Sequence, residues 1–280
     1  MPEAIESLDG VSVAALAVEL RLSELLVYRS LTSTQDVLHQ LAEHGAADGT
    51  VVVADEQTAG RGRMGRSWAS APGAGLWCSL LSRPAAAAGA AGDSVDEAAE
   101  HPQLMSIRVG LAVATALDAV AGRAVRLKWP NDLVLDNRKL GGILIESRWR
   151  GNRPDWTVIG VGINLATPAG QSEAIGLHEA RPASPPERGT AGPGGRGAGS
   201  RVDVLRRIVP GIRLAAMHSG RLSPTELAEL DRRDVTRHRR CIAPRAGVLR
   251  GIDASGAVTV DTGEEIVLVR SGTLVLAEES

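Results

Sequence analysis

The sequence contains no phenylalanine and one tyrosine, and with five tryptophans its aromatics reach only 2% of 280 residues. Its core must therefore come from Val, Leu, Ile and Ala, and stacking surfaces for single-stranded nucleic acid are scarce. Cysteine is rarer still. Cys78 and Cys241 stand alone with no C-x-x-C, which suggests neither a disulfide framework nor a zinc site. Six histidines are scattered without metal-ligand spacing. Charge of one sign is missing too: 31 Lys and Arg against 33 Asp and Glu leave a net charge of -2. No global field draws such a chain to nucleic acid or to a membrane, so any anion binding must be local. No signal peptide opens the chain and no apolar run is read as approaching ~20 residues, so the expected location is cytoplasmic, with no membrane partner.

What is present is ordinary for a globular protein, with 44% hydrophobic and 23% charged residues. One stretch is unusual. Gln57 to Trp68 reads Q-T-A-G-R-G-R-M-G-R-S-W, directly after the apolar run Thr50 to Ala54. Gly60, Gly62 and Gly65 alternate with Arg61, Arg63 and Arg66. Glycine allows close backbone approach, and arginine adds a planar fork of donors for carboxylate or phosphate. A solvated turn or part of an RNA-binding tract would share this composition.

Around that loop the pattern predicts a lead-in helix within residues 1–24, bearing Val13, Leu16, Leu20 and Leu22. A strand at Leu25 to Leu31 and a helix at Gln35 to His44 follow, the helix capped by Ser33 or Thr34 and closed by Gly45. Strands are expected at Thr50 to Ala54 and Gly75 to Ser82, and a long helix at Leu104 to Ala121. Further strands are expected at Val125 to Trp129, Asp132 to Leu135, Lys139 to Trp149 and Trp156 to Leu165. Helices at Val202 to His218 and Pro224 to Asp231 precede short, Gly-punctuated strands from Val235, which read as a small barrel. Residues 84–102 and 166–200, rich in Ala, Gly and Pro, read as flexible insertions.

Four more stretches carry chemistry, each with a bland alternative. Thr32-Ser33-Thr34-Gln35 opens a helix, where hydroxyls and amides suit a carboxylate or polar ring, but where simple N-capping would also place them. Lys128-Trp129-Pro130-Asn131-Asp132 follows a strand with a cation, a rigid turn, an amide and a carboxylate able to hold Mg²⁺. Lys139-Leu140-Gly141-Gly142-Ile143-Leu144-Ile145-Glu146 opens a strand through a glycine pair that permits close ligand approach, or else is a bulge with a surface lysine. Gly160-Val161-Gly162-Ile163-Asn164-Leu165 is a strand of small residues ending near an amide, or a tightly packed sheet position.

In this order and spacing the five stretches resemble biotin protein ligases (biotin–[acetyl-CoA-carboxylase] ligases), by motif from Leu26 to Leu165 and by layout beyond. The resemblance implies an α+β fold. It would comprise a class-II-synthetase-like biotin/lipoate ligase catalytic domain over 25–232, a mixed sheet flanked by helices, and a small C-terminal SH3-like β-barrel over 233–280. It implies the formation of biotinyl-5′-AMP from biotin and MgATP, and transfer of biotin to a lysine of the biotin carboxyl carrier domain of an acyl-CoA carboxylase. Ser33, Thr34, Gln35 and Gln57 would lie at the biotin ring. Gly60, Arg61, Gly62, Arg63 and Arg66 would close over biotin and the phosphates, and Trp68 would border the adenylate. Lys128 would meet phosphate, Asn131 the adenine region and Asp132 the metal. Lys139 would sit at the biotin carboxylate, while Gly142, Ile143, Leu144, Gly162 and Asn164 would line the wall. Lys139, Arg63, Arg61 and Lys128 would be the catalytic cations, and the loop would be poorly ordered when empty.

Two positions depart from the family pattern: Gln35 where Asn is usual, and Met64 where a basic residue is more frequent. The sequence lacks the N-terminal DNA-binding module of bifunctional members, so no operator-specific DNA binding and no repressor activity are expected. A homodimer stays open. Two other readings also stay open. One is a lipoate ligase with the same adenylate strategy. The other is a nucleic-acid-binding module using the loop together with Arg232, Arg233, Arg237, Arg239 and Arg240.

Overall fold

A computed structural model describes residues 3–83, 102–151, 153–179 and 199–277. The expected insertion at 84–102 falls almost wholly outside these residues, and that at 166–200 partly so.

The expected strands and helices form within a few residues of their predicted bounds. Seven strands make one mixed sheet: β3 (Glu24–Leu31), β4 (Thr50–Gln57), β5 (Gly75–Ser82), β6 (Arg126–Lys128), β7 (Asp132–Leu135), β8 (Arg138–Arg150) and β9 (Arg153–Asn164). Their spatial order is β3-β4-β5-β9-β8-β7-β6, with β3 and β4 parallel and all other pairs antiparallel. Strand β5 is buried along nearly its whole length because both faces of the sheet are covered. Leu76, Cys78 and Leu80 face the larger core with α3 (Pro102–Ala121) and α4 (Arg201–Met217). Leu81 faces a second, smaller core under α2 (Thr34–Glu43).

Two expectations are corrected here. Helix α3 is long and apolar enough to cross a membrane on length and composition alone, contrary to the reading that no apolar run approaches that length. It is the core helix, with Val109, Val113, Ala114 and Leu117 fully buried against the sheet and α4. Residues 1–24 are not a single helix: β1 (Ser7–Leu8) and β2 (Val11–Ser12) pair before a short α1 (Val13–Glu19). The turn between the strands uses positive φ at Asp9 and Gly10, a turn signal the apolar spacing concealed.

Helix α5 (Pro224–Arg233) is set by a capping box between Ser223 and Glu226, and Glu226 also pairs with the buried Arg108 of α3 at 2.8 Å. Beyond it β10 (Arg240–Ala243), β11 (Gly247–Ile252), β12 (Val258–Asp261), β13 (Ile266–Val269) and β14 (Val275–Leu276) form an antiparallel sheet, consistent with a small SH3-like domain. It is joined to the first unit where Trp129 Nε1 donates to the Gly256 carbonyl at 3.0 Å.

Burial pushes the Glu226 carboxyl up, but hydrogen bonds from Ser223 and the Arg108 guanidinium outweigh it and hold the group below the usual carboxylate range. A depressed folded-state value means stability that is present above the unfolded value of about 4.3 and lost as pH falls through the folded one. Glu226→Gln is therefore expected to cost about 1–2 kcal/mol at neutral pH. The gap to the parent protein should close in urea melts below about pH 4.

Candidate active site

The parallel pair β3–β4 delivers two of the motifs side by side. Strand β3 ends at Leu31 and α2 begins at Thr34, while β4 ends at Gln57. The N-cap residue Ser33 makes no side-chain cap bond; its Oγ is buried and without a partner among the described residues. Simple capping therefore does not account for Ser33. The Thr34 N–H donates instead to Gln57 Oε1 at 2.9 Å, and Thr34 Oγ1 reaches the same oxygen at 3.2 Å. Gln57 is held from its other end, because its Nε2 donates to Ser70 Oγ at 2.8 Å.

The glycine–arginine stretch is a small closed loop. Trp68 N donates to the Gly60 carbonyl at 2.8 Å and Gly62 N to the Arg66 carbonyl at 2.7 Å, around a short 3-10 turn at Arg63–Gly65. A Cβ on Gly60 would lie 2.5 Å from the Trp68 carbonyl, so the root of the loop tolerates only glycine. Met64 sits at the tip with φ 56°, is 74% exposed, and approaches Thr273 of the C-terminal sheet. It is not among the residues lining the cleft, so the missing basic residue there does not remove a cation from the wall.

Beneath the loop, Trp68 lies against the glycines of β8 and β9: a Cβ on Gly162 would stand 3.0–3.1 Å from its ring, and one on Gly142 3.3 Å. Trp77 meets Trp68 edge-on with centroids 6.3 Å apart, and both indole N–H groups are buried without partners among the described residues. Lys139 Nζ lies 5.2 Å from the Trp68 ring centroid and 2.6 Å from Asp132 Oδ1. Arg63 Nη1 donates to Asn131 Oδ1 at 3.2 Å, and Asn131 Nδ2 to the Ile143 carbonyl at 2.9 Å. Burial lowers the Arg63 guanidinium from its ordinary value; Asp132 opposes that and Arg66 adds to it. It remains charged at any relevant pH.

These side chains line one cleft. Of the residues singled out in the sequence, Ser33, Thr34, Gln35, Gln57, Arg61, Gly62, Arg63, Arg66, Trp68, Lys128, Asn131, Asp132, Lys139, Gly142, Ile143, Leu144 and Gly162 are on its wall. Gly60 and Asn164 are not. Gly60 is the loop root, and Asn164 is buried behind the wall, its Nδ2 directed at the Lys139 carbonyl at 3.4 Å. The Lys139 backbone is clamped further by Glu173 and Ile175, at 2.7 and 3.0 Å. Residues 166–179, expected to begin a flexible insertion, are thus packed, with Ala174, Ile175 and Leu177 buried. Their Pro and Gly made them read as a linker, although Ile175 and Leu177 supply the apolar anchors.

No site role was expected for Trp77, Cys78 and Ser79 of β5, or for Thr273 and Leu274, which the C-terminal sheet adds to the wall, whereas Gly160 and Val161 of β9 belong to the Gly160–Leu165 stretch already singled out in the sequence. A lone Ser in the apolar run of β5 was a usable signal. Nothing in the local sequence marks Thr273. Burial pushes the Cys78 thiol up to about 12, which makes it inert as a nucleophile at neutral pH.

The cleft combines cations (Arg63, Arg66, Lys128, Lys139), one carboxylate able to bind a hard cation, and buried donors without partners. Such a site suits a polar, anionic small molecule, and each orphaned donor costs about 1–3 kcal/mol until a ligand satisfies it. Among the described residues no group of three His, Cys, Asp or Glu could cage a metal. Asp132 alone fits a Mg²⁺ that arrives with phosphate oxygens, since that ion is usually held by one or two carboxylates plus substrate phosphates.

The sequence profile of the Biotin/lipoate A/B protein ligase family matches residues 27–164. The biotin--[acetyl-CoA-carboxylase] ligase of Mycobacterium tuberculosis is 30% identical over 259 residues, covering 89% of this chain and 87% of that protein. The bifunctional ligase/repressor BirA of Bacillus subtilis is 37% identical over 150 residues, 54% of this chain and 43% of that protein. The matches thus span under half the length of such bifunctional relatives. Among solved structures, the biotin protein ligase of Aquifex aeolicus in complex with biotin and ATP superposes with a TM-score of 0.68 at 24% identity, over 92% of this chain and 100% of that one. That likeness speaks to the fold.

Proposed function

Because the chain belongs to the biotin/lipoate A/B protein ligase family, we propose that it is an ATP-dependent biotin protein ligase acting on biotin carboxyl carrier domains. The carrying observation is the meeting of Lys139, Asp132, Arg63 and the orphaned Ser33 hydroxyl in one cleft, from four separate segments.

In this reading the biotin carboxylate attacks the α-phosphorus of ATP, the bond to the β-phosphate oxygen breaks, and pyrophosphate leaves. The amine of a carrier lysine then attacks the carbonyl of biotinyl-5′-AMP, forming an amide and releasing AMP. Two anions must approach each other in the first step. Lys139, Arg63 and Lys128 lower that repulsion and fix the geometry, which is where most of the acceleration arises. Ser33, Thr34 and Gln57 supply hydroxyl and amide groups for the ureido ring, a wall more polar than a lipoyl dithiolane requires. Asp132 would hold the Mg²⁺ that neutralises the phosphates. Trp68, packed on Gly142 and Gly162, screens the adenylate from water.

We divide the chain into an extension at 1–24, a catalytic unit at 25–232 and a C-terminal unit at 233–280, and place it in the cytoplasm with ATP and the carrier. Three of the five arginines of the nucleic-acid reading are engaged in ion pairs. Arg233 is buried against Asp118 and Glu229, Arg232 pairs with Glu229, and Arg237 with Asp231.

Incubation with ATP, a biotin carrier domain and labelled biotin or labelled lipoate tests the proposal. Labelling by biotin supports it, and labelling by lipoate alone overturns it. Arg63→Ala is expected to lower carrier labelling about a hundredfold. It should also raise the fraction of biotin found on bystander lysines, read by streptavidin blot, because the opened loop releases adenylate.

A further inference from the structure

Arg61 differs from Arg63 and Arg66 in being ion-paired to two carboxylates. Its guanidinium is paired with Glu146 at the end of the K-L-G-G-I-L-I-E stretch, and with Asp36 in the first turn of α2 at 3.2 Å. Glu146 is itself braced. Gln35 Nε2 donates to its Oε2 at 3.1 Å, and His39 Nε2 lies 3.5 Å from the same oxygen. His39 Nδ1 accepts from the buried Trp156 indole N–H at 3.0 Å, which leaves the ring proton on Nε2, facing the carboxylate. Gln35 Oε1 accepts from Ser79 Oγ at 2.9 Å, and Ser79 meets Thr34 Oγ1 at 2.8 Å. A continuous hydrogen-bonded chain therefore runs from the hydroxyls of the cleft floor through Gln35 and Glu146 to the glycine–arginine loop.

The geometry points to Glu146 as a positioning residue: it pins the loop to strand β8 through Arg61, leaving Arg63 and Arg66 to face the ligand. Gln35, the departure from the family's usual Asn, is long enough to span from Ser79 to Glu146, and the absence of a Cβ at Gly160 gives it room, since one would stand 2.9 Å from Oε1. The neighbouring His39 ring and the Arg61 charge hold the Glu146 carboxyl below the usual carboxylate range despite burial, so the pin is charged at neutral pH. Arg61 serves chiefly as an anchor in this arrangement, and its guanidinium is spoken for by two carboxylates.

The consequence for catalysis rests on the ligase reading, whereas the pin itself does not, and limited proteolysis separates the two. Trypsin cuts after Arg61, Arg63 and Arg66 only when the loop lifts. In Glu146→Gln, cleavage there is expected to be roughly threefold to fivefold faster than in the parent, the scale of a half-exposed ion pair, with cutting at other arginines unchanged. Glu146→Ala should exceed it. Unchanged loop cleavage in both variants would overturn the pin. In turnover assays of Glu146→Gln, KM for ATP and biotin should rise while kcat changes little, with more biotin escaping to bystander lysines. Faster loop cleavage in a protein that forms no adenylate would uphold the pin and remove the ligase reading. Normal adenylate chemistry with an unaffected loop would do the reverse.

Discussion

Replacing Lys139 by alanine is expected to lower biotin-dependent adenylate formation by about a thousandfold, with little change in the melting temperature. Its ammonium is the cation that both the Asp132 carboxylate and the Trp68 ring face, at 2.6 Å and 5.2 Å. Its backbone is fixed independently by Glu173, Ile175 and Asn164, so removing the side chain leaves β8 in place. The side chain is partly exposed and its ion pair with Asp132 contributes little to folding, at most about 1 kcal/mol. The loss should appear in the chemical step, as a fall in kcat and kcat/KM together, because the charge matters most when carboxylate and phosphate are driven together. Lys139→Arg should recover only a small part, since a planar fork does not place one charge where the ammonium was. Single-turnover quench measurements of biotinyl-5′-AMP check this directly.

Gly162→Val is expected to abolish the site by a different route. A Cβ at this position would stand 3.0 Å from the Trp68 ring, and the two methyl groups of valine would occupy the space the indole now fills. The residue lies in β9, where valine suits the extended backbone, so stability should change by less than about 1 kcal/mol. Trp68 would be lifted from the floor and the loop with it. A misplacement of about 1 Å in a positioning residue costs on the order of a hundredfold in rate. Gly162→Ala should be intermediate, since only one atom must be accommodated. Steady-state kinetics of the two variants, with tryptophan fluorescence reporting on Trp68, give the ordering parent, Ala, Val.

Much of the site was legible because its motifs lie at strand ends, where local chemistry and fold position coincide. Ser33-Thr34 and Gln57 end two adjacent parallel strands, so motifs 23 residues apart in sequence (Thr34 to Gln57) share a hydrogen bond. Lys139 and Asp132 sit on neighbouring strands β8 and β7. What was not legible depends on long-range contact. Thr273 and Leu274 reach the cleft only because the C-terminal sheet docks at Trp129. The bracing of Glu146 by His39 and Trp156 joins strands and a helix separated by more than a hundred residues, and a single His on a helix gives no sign of it. Residues 166–179 misread for a related reason: Pro and Gly set local flexibility, but burial of Ile175 and Leu177 decides the structure.

ATP–pyrophosphate exchange catalysed by the purified chain, with biotin as the only other substrate, reads the adenylation step itself. For a biotin ligase that uses Lys139, the expected result is exchange that depends on biotin, needs a divalent cation, and falls about a thousandfold in Lys139→Ala. Exchange that proceeds equally without biotin, or that survives the loss of Lys139, would contradict it.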